Sequence, residues 1–287
     1  PWRQPRLAPA LAAGAVLALA AATVVATQPP ALPPPPSIAL DVMASPSEAN
    51  RSPMFRPGRR PGDTPRVTFF GDSVSWSLGT YLPQQNELQV QVRGIPGCGI
   101  ARLPDIRYIG VPHTNYPGCD RWDVRWKHHV YYDDPDLAVI LLDRWELMDR
   151  RLNGRYQHVG EPEYDEYLNR ELDRAISIVG SRGAHVVLLT APYTRRAERP
   201  DGGLWPEDDP VRVDAWNVLL RAAAERHETT LLDLNAQICP EGEFTWRIDG
   251  IRVRSDGLHF TPDGVRRFIA PWLLPELARL AVHGPES

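Results

Sequence analysis

Asp256 and His259 stand three residues apart in Arg254-Ser255-Asp256-Gly257-Leu258-His259-Phe260, and far upstream an apolar run ends in Phe70-Gly71-Asp72-Ser73. A serine, an imidazole and a carboxylate are the groups that turn a weak hydroxyl into a nucleophile: the imidazole takes the proton and the carboxylate orients the imidazole. On a turn, residues i and i+3 share one side, so Asp256 can hold one ring nitrogen of His259 and leave the other free for Ser73. Ser73 follows a strand and opens a helix, where free backbone N–H groups can face a developing oxyanion. Ser75 and Ser77 lie further into that helix and are the weaker nucleophile candidates. Taken singly, each segment also has a plain structural reading, an N-cap for Asp72 or Ser73 and a surface turn for Asp256 and His259.

The elements that must position these groups are readable from hydrophobic periodicity. Arg66 to Phe70, Leu88 to Val92, Leu137 to Leu142, Ala184 to Leu189 and Thr229 to Leu234 read as strands, and Tyr164 to Val179, Val211 to His227 and Pro262 to Ala281 as helices. Continuous apolar runs such as Leu137-Ala138-Val139-Ile140-Leu141-Leu142 suit the centre of a parallel sheet. The alternation predicts a three-layer α/β/α, doubly wound sheet of about five parallel strands, with the site at the carboxyl ends of the strands.

The N-terminal residues differ. Leu7 to Thr27 is an uncharged run of 21 residues preceded by Arg3 and Arg6, with no further Lys or Arg until Arg51. That length spans a bilayer and the charge asymmetry places the remainder outside the cytosol; a cleaved signal peptide ending near Ala26 is the competing reading. The chain opens on Pro1, so we expect a piece of a longer protein, with this run the last of several spans. Residues 28–64 form a linker with the run Pro33-Pro34-Pro35-Pro36, which favours extended polyproline geometry. The expected organisation is therefore a membrane-spanning segment with a cytosolic stub at 1–27, the linker at 28–64 and a catalytic domain at 65–284. A formal net charge of −4 offers no basic field for nucleic acid. No metal-ligand spacing occurs, His128-His129 read as a solvated helix surface, and no cofactor is expected.

Gly71-Asp72-Ser73 and Asp256-Gly257-Leu258-His259, in this order, resemble the first and last conserved blocks of the SGNH (GDSL-like) hydrolase family. The resemblance covers about residues 65 to 284 and implies Ser73 as nucleophile with Asp256 and His259 completing the triad. Ile95-Pro96-Gly97-Cys98-Gly99 is similar to the second block, whose glycine amide joins the oxyanion hole; Gly97 is the preferred match and Gly99 the alternative. The third block usually reads Gly-x-Asn-Asp, its Asn completing the hole, and here Asp143-Arg144-Trp145-Glu146 stands in that place. Oxyanion stabilisation must then rest on the Ser73 and Gly97 amides or on a donor such as Arg144 or the Trp145 indole. An uncompensated loss of one donor costs a factor of about 10²–10³ in rate. Such a change, the preceding span and the linker are similar to the divergent SGNH domains fused to the C-terminus of membrane acyltransferase-3 proteins.

That resemblance implies an extracytoplasmic domain, anchored to a bacterial plasma membrane, which receives an acyl group from a membrane acyltransferase partner. The group, acetyl in the first instance, passes through an acyl-serine to a polysaccharide, peptidoglycan or glycolipid acceptor. A secreted carbohydrate esterase or deacetylase, and a catalytically silent glycan-binding module, are the competing readings. Three cysteines allow one internal disulfide; Cys98–Cys119 would brace the loop beside Gly97, and Cys98–Cys239 and free thiols remain open. Arg144 and Trp145 are the substrate-binding candidates, ahead of Trp122, Trp126 and Trp205, because they follow the central strand.

Overall fold

The computed structural model describes residues 63–283. The proposed membrane-spanning run, the linker up to residue 62 and residue 284 of the expected domain lie outside the described residues, among which no helix is long and apolar enough to cross a membrane.

Strand β1 (Arg66–Gly71) runs into α1 (Ser73–Tyr81), followed by β2 (Gln89–Val92). Two short strands, β3 (Asp105–Tyr108) and β4 (Val111–Thr114), precede α2 (Trp122–Asp133) and β5 (Leu137–Leu141). A single turn α3 (Arg144–Leu147) leads to β6 (Arg150–Leu152) and β7 (Arg155–Gln157). Then come α4 (Pro162–Val179), β8 (His185–Leu189), α5 (Pro210–Arg226), β9 (Thr230–Leu232) and α6 (Leu234–Ile238). A hairpin of β10 (Arg247–Ile248) and β11 (Ile251–Arg252) precedes α7 (Pro262–Gly264) and α8 (Ala270–His283).

The main sheet has the order β2-β1-β5-β8-β9, parallel throughout. β5 is buried at all five positions because helices cover both faces of the sheet. Successive side chains alternate between faces: Phe70, Ala138, Ile140 and Leu188 pack with α2, α4 and α5 on one side. Val67, Phe69, Val139, Leu141 and Leu189 pack with α1, α6 and α8 on the other. Helix α4 buries Tyr164, Tyr167, Leu168, Leu172, Ala175, Ile176 and Val179, an i, i+3, i+4 stripe, and starts with Pro162 in its first turn, where a missing N–H costs nothing. The anticipated three-layer α/β/α architecture with five parallel strands is thus observed.

The structure departs from the sequence reading in some places and sharpens it in others. The expected final helix Pro262 to Ala281 is interrupted by a π-helical turn at Val265–Ile269, in which the Ala270 N–H bonds the Val265 carbonyl. Pro271 follows at once; it has no N–H for the Arg267 carbonyl and its ring crowds that group, so the wider turn relieves both. A second, antiparallel sheet of order β4-β3-β6-β7 was not anticipated. Finally, Trp122 and Trp126 are core residues, 1 % and 2 % exposed and packed edge to face, so neither presents a ring to a sugar. His128 is exposed as expected, but His129 is half-buried, and burial together with Arg93 pushes it down to about 4.

Candidate active site

β1 ends at Gly71, and Asp72 caps α1 in extended geometry, its Oδ1 accepting the Val74 N–H at 2.8 Å. Asp72 is therefore the cap and Ser73 the first helical residue. Ser75 and Ser77 turn their hydroxyls back to the Phe70 and Val74 carbonyls at 2.9 Å each, so neither offers a free nucleophile. Ser73 differs: its Oγ lies 2.7 Å from His259 Nε2.

His259 Nδ1 lies 2.8 Å from Asp256 Oδ2. A carboxylate only accepts, so Nδ1 carries the proton and Nε2 is left to accept from Ser73 Oγ–H. Asp256 Oδ1 takes the amides of Leu258 at 3.1 Å and His259 at 2.9 Å, so the carboxylate folds the turn that aims its own histidine. That turn requires Gly257: its φ is +82°, and a Cβ there would stand 1.9 Å from the Arg195 carbonyl oxygen. Asp256 is held well below the usual carboxylate range: burial alone would raise it, but the His259 hydrogen bond and charge, with Arg196, outweigh burial.

The second expected segment also converges here. Gly97 follows β2 with φ +83°, and the Tyr116 ring lies so close that a Cβ would meet it at 2.7 Å. Neither the Ser73 nor the Gly97 amide is taken by another group among the described residues. Cys98 and Cys119 form a disulfide, which fastens this loop to the segment before α2 and leaves Cys239 a free, buried thiol. Gly99 instead backs onto Glu146, whose Oε1 accepts the Ile100 amide at 2.7 Å. Burial pushes Glu146 up to about 7, against Arg150 and the Ile100 and Ala101 amides that favour its charged form.

Ser73, Gly97, Arg144, Trp145 and His259 line one cavity of about 70 Å3, completed by Pro96, Tyr108, Tyr116, Arg196 and Leu258. Trp145 stands on its wall, 5.7 Å from the Tyr116 ring and packed with Ile106 and Met148 of the small sheet region. Arg144 reaches the same wall, yet its terminal nitrogens are engaged by Asp208 and, at 3.2 Å, Glu207, all three side chains being almost fully buried. It is therefore a neutralised wall element rather than an open anion site. Asp208 also accepts from Thr194 Oγ1 at 2.7 Å and from the Arg196 amide at 3.2 Å, tying the segment after β8 to the segment after β5. Trp205 lies away from this wall, against Gly110.

Tyr108, Tyr116 and Arg196 escape sequence reasoning. The tyrosines lie on or beside strands of four residues without periodicity. Arg196 follows the apolar run of β8, and its place at the carboxyl end of a strand was a signal that could have found it.

Residues 44–273 match the model of the SGNH domain, described as fused to AT3 domains. The chain belongs to the SGNH domain family. No curated relative matches it. Among solved structures this SGNH domain is similar to a GDSL-like lipase from Bacteroides thetaiotaomicron, at 16 % identity and a TM-score of 0.51, over 78 % of this chain and 93 % of that one. An acylhydrolase from Bacteroides fragilis described as putative shares 17 % identity over 78 % and 91 %, with a TM-score of 0.48. An aryl esterase from M. smegmatis shares 18 % identity over 75 % and 99 %, with a TM-score of 0.47. The first of these likenesses shows a shared fold.

Proposed function

We propose that the domain is a serine-dependent enzyme that transfers an O-acyl group, acetyl in the first instance, to a hydroxyl of a cell-envelope glycan or glycolipid. The observation that carries the reading is the hydrogen-bonded chain Ser73–His259–Asp256, with Ser73 Oγ opening on a small cavity. In the first half-reaction Ser73 Oγ attacks the ester carbonyl carbon of the donor while His259 Nε2 takes its proton. The free amides of Ser73 and Gly97 receive the oxyanion. Collapse breaks the bond to the donor oxygen, which leaves with the proton returned by His259. In the second half-reaction His259 deprotonates an acceptor hydroxyl, which attacks acyl-Ser73; the acyl–Oγ bond breaks and His259 returns the proton to Ser73 Oγ.

The donor side of the proposal is a membrane acyltransferase of the AT3 type, which would present the acyl group outside the cytosol. The description of the matching family as fused to AT3 domains supports that partner.

A fluorophosphonate probe tests the nucleophile: Ser73 is expected to be the labelled residue, and a folded domain that takes up no label would leave the glycan-binding module as the better reading. Release of acetate from an O-acetylated oligosaccharide, with and without an unacetylated acceptor, then separates transfer from hydrolysis. Acetylated acceptor is the expected product; acetate alone, unaffected by acceptor, would make the domain an esterase.

A further inference from the structure

Two carboxyls meet beneath the turn that carries Ser73. Asp72 and Asp143 are 0 % and 1 % exposed. Each gives one oxygen to a backbone amide, Asp72 Oδ1 to Val74 and Asp143 Oδ1 to Arg144. Their remaining oxygens, both Oδ2, are buried and find no donor, and the two side chains lie within hydrogen-bonding reach of each other. An ionised carboxylate only accepts, so two of them facing each other out of water repel. One proton between the two oxygens replaces that repulsion with a hydrogen bond and leaves the pair with a single negative charge.

The surroundings match one charge rather than two. Glu146 of α3 adds a third acid on the same side. The group of opposite sign is Arg254. Arg254 is fully buried and among the described residues forms no ion pair; it donates to the Leu258 and Tyr193 carbonyls at 3.4 and 3.5 Å and lies against the Phe260 ring and the Cys239 thiol.

We propose that Asp143 is a positioning residue that fixes the Ser73 turn through one proton shared with Asp72. The proposal rests on the reading of Ser73 as the nucleophile. Asp72 precedes Ser73 directly, and Asp143 opens α3 from the end of the neighbouring strand, where Gly71 pairs in register with Leu141. The shared proton therefore ties two adjacent strand ends together at the point where α1 departs. It sets the direction of the Ser73 amide and hydroxyl. In the segment that stands in place of the third block, this chain thus opens with an acid that works from beneath the nucleophile turn.

The test compares wild type, Asp143→Asn and Asp143→Ala in two readouts, the rate of fluorophosphonate labelling and the thermal unfolding midpoint, from pH 5 to 10. The asparagine in Asp143→Asn can accept from the Arg144 amide and donate an N–H to Asp72 without needing a proton. Asp143→Ala is expected to slow labelling about 10- to 100-fold, as small misplacements of reacting groups do, and Asp143→Asn to restore it. Burial first, then the neighbouring acids, raise Asp72 above its ordinary value, and burial likewise raises Asp143. The folded pair therefore binds its proton more tightly than the unfolded chain, and wild type loses stability and labelling as pH rises through that titration. Asp143→Asn is expected to lose that alkaline decline; because Asp143 also helps to raise Glu146, the comparison is made in a Glu146→Gln background, where neither protein has the Glu146 titration. Equal pH dependence in wild type and Asp143→Asn, or labelling of Asp143→Asn as slow as that of Asp143→Ala, overturns the proposal. If Asp143→Ala does not fold, the pH comparison with Asp143→Asn still decides. An unlabelled wild type would overturn the acyl-serine reading alone, because the unfolding difference tests the shared proton without activity.

Discussion

Arg196 Nη1 lies 2.5 Å from Asp256 Oδ2, the same oxygen that accepts from His259 Nδ1 at 2.8 Å. The carboxylate of the proposed triad is thus shared between the imidazole it orients and a guanidinium on the cavity wall. Both side chains of the ion pair are about one-third exposed, 32 % and 29 %, so the pair is screened by solvent.

Arg196→Met should therefore cost little stability at neutral pH, about 0.5–1 kcal/mol, and show its effect in acid. Asp256 is held low in the folded state, so its contribution is present above its ordinary value and lost as pH falls through the folded value. Without Arg196 the folded value rises, and the acid limb of unfolding moves to higher pH. Melting midpoints between pH 2 and 7 measure this; superimposable acid limbs would mean that Arg196 contributes nothing to Asp256.

Glu146 has the opposite sign. Burial raises it from 4.5 to about 7, so the folded protein binds its proton more tightly than the unfolded chain does. Its contribution is present below about 4.5 and lost as pH rises through about 7, a change on the order of 3 kcal/mol. Glu146→Gln keeps an acceptor for the Ile100 amide and has no proton to lose, so its stability should be flatter across that window. Urea unfolding of both proteins at pH 5 and pH 8 is the measurement, and an unchanged difference between the two pH values would sink the assignment.

What was legible in the chain follows from burial. β1, β5 and β8 are readable because a strand covered on both faces must be apolar at nearly every position. Ser73 and the Asp256–His259 turn are readable because their partners are local or lie at a strand end. The small sheet is not, since Asp105–Tyr108, Val111–Thr114, Arg150–Leu152 and Arg155–Gln157 are too short and too polar to show a period of two. Nor could Glu207 and Asp208 be picked out, because Trp205-Pro206-Glu207-Asp208-Asp209-Pro210 has the composition of a solvated loop. Glu207 and Asp208 are buried by partners distant in sequence, Arg144 (63 and 64 residues earlier), the Ile109 amide and the Thr194 hydroxyl. The Asp72–Asp143 pair is hidden for the same reason: contact between distant acids is set by sheet order, which the local pattern does not encode.

The Cys98–Cys119 disulfide joins residues 21 apart and anchors the residue next to Gly97. Closing a loop of this length restricts the unfolded chain by about 3 kcal/mol. Replacing both cysteines with serine should lower the melting midpoint accordingly and slow labelling of Ser73, because the Gly97 amide loses its brace. A reductant added to wild type should reproduce the shift and leave the double variant unchanged. Equal melting of the oxidised and reduced proteins would show that the bridge contributes no stability.

Gly257→Ala tests the turn that aims His259. The added Cβ would stand 1.9 Å from the Arg195 carbonyl oxygen, and at φ +82° an alanine is strained even without that clash. The Arg195 amide in turn donates to the Gly257 carbonyl at 2.9 Å, so the two segments cannot separate without breaking that bond. The easier relaxation is for the Asp256 to His259 turn to shift, which carries the imidazole away from Ser73. The expected result is a loss of roughly 1–3 kcal/mol in stability and a fall in labelling rate of about 10²-fold. The sheet supplies no compensation, since none of its strands contains either segment. A variant that melts lower but labels at the wild-type rate would show that the turn supports the fold without aiming the histidine.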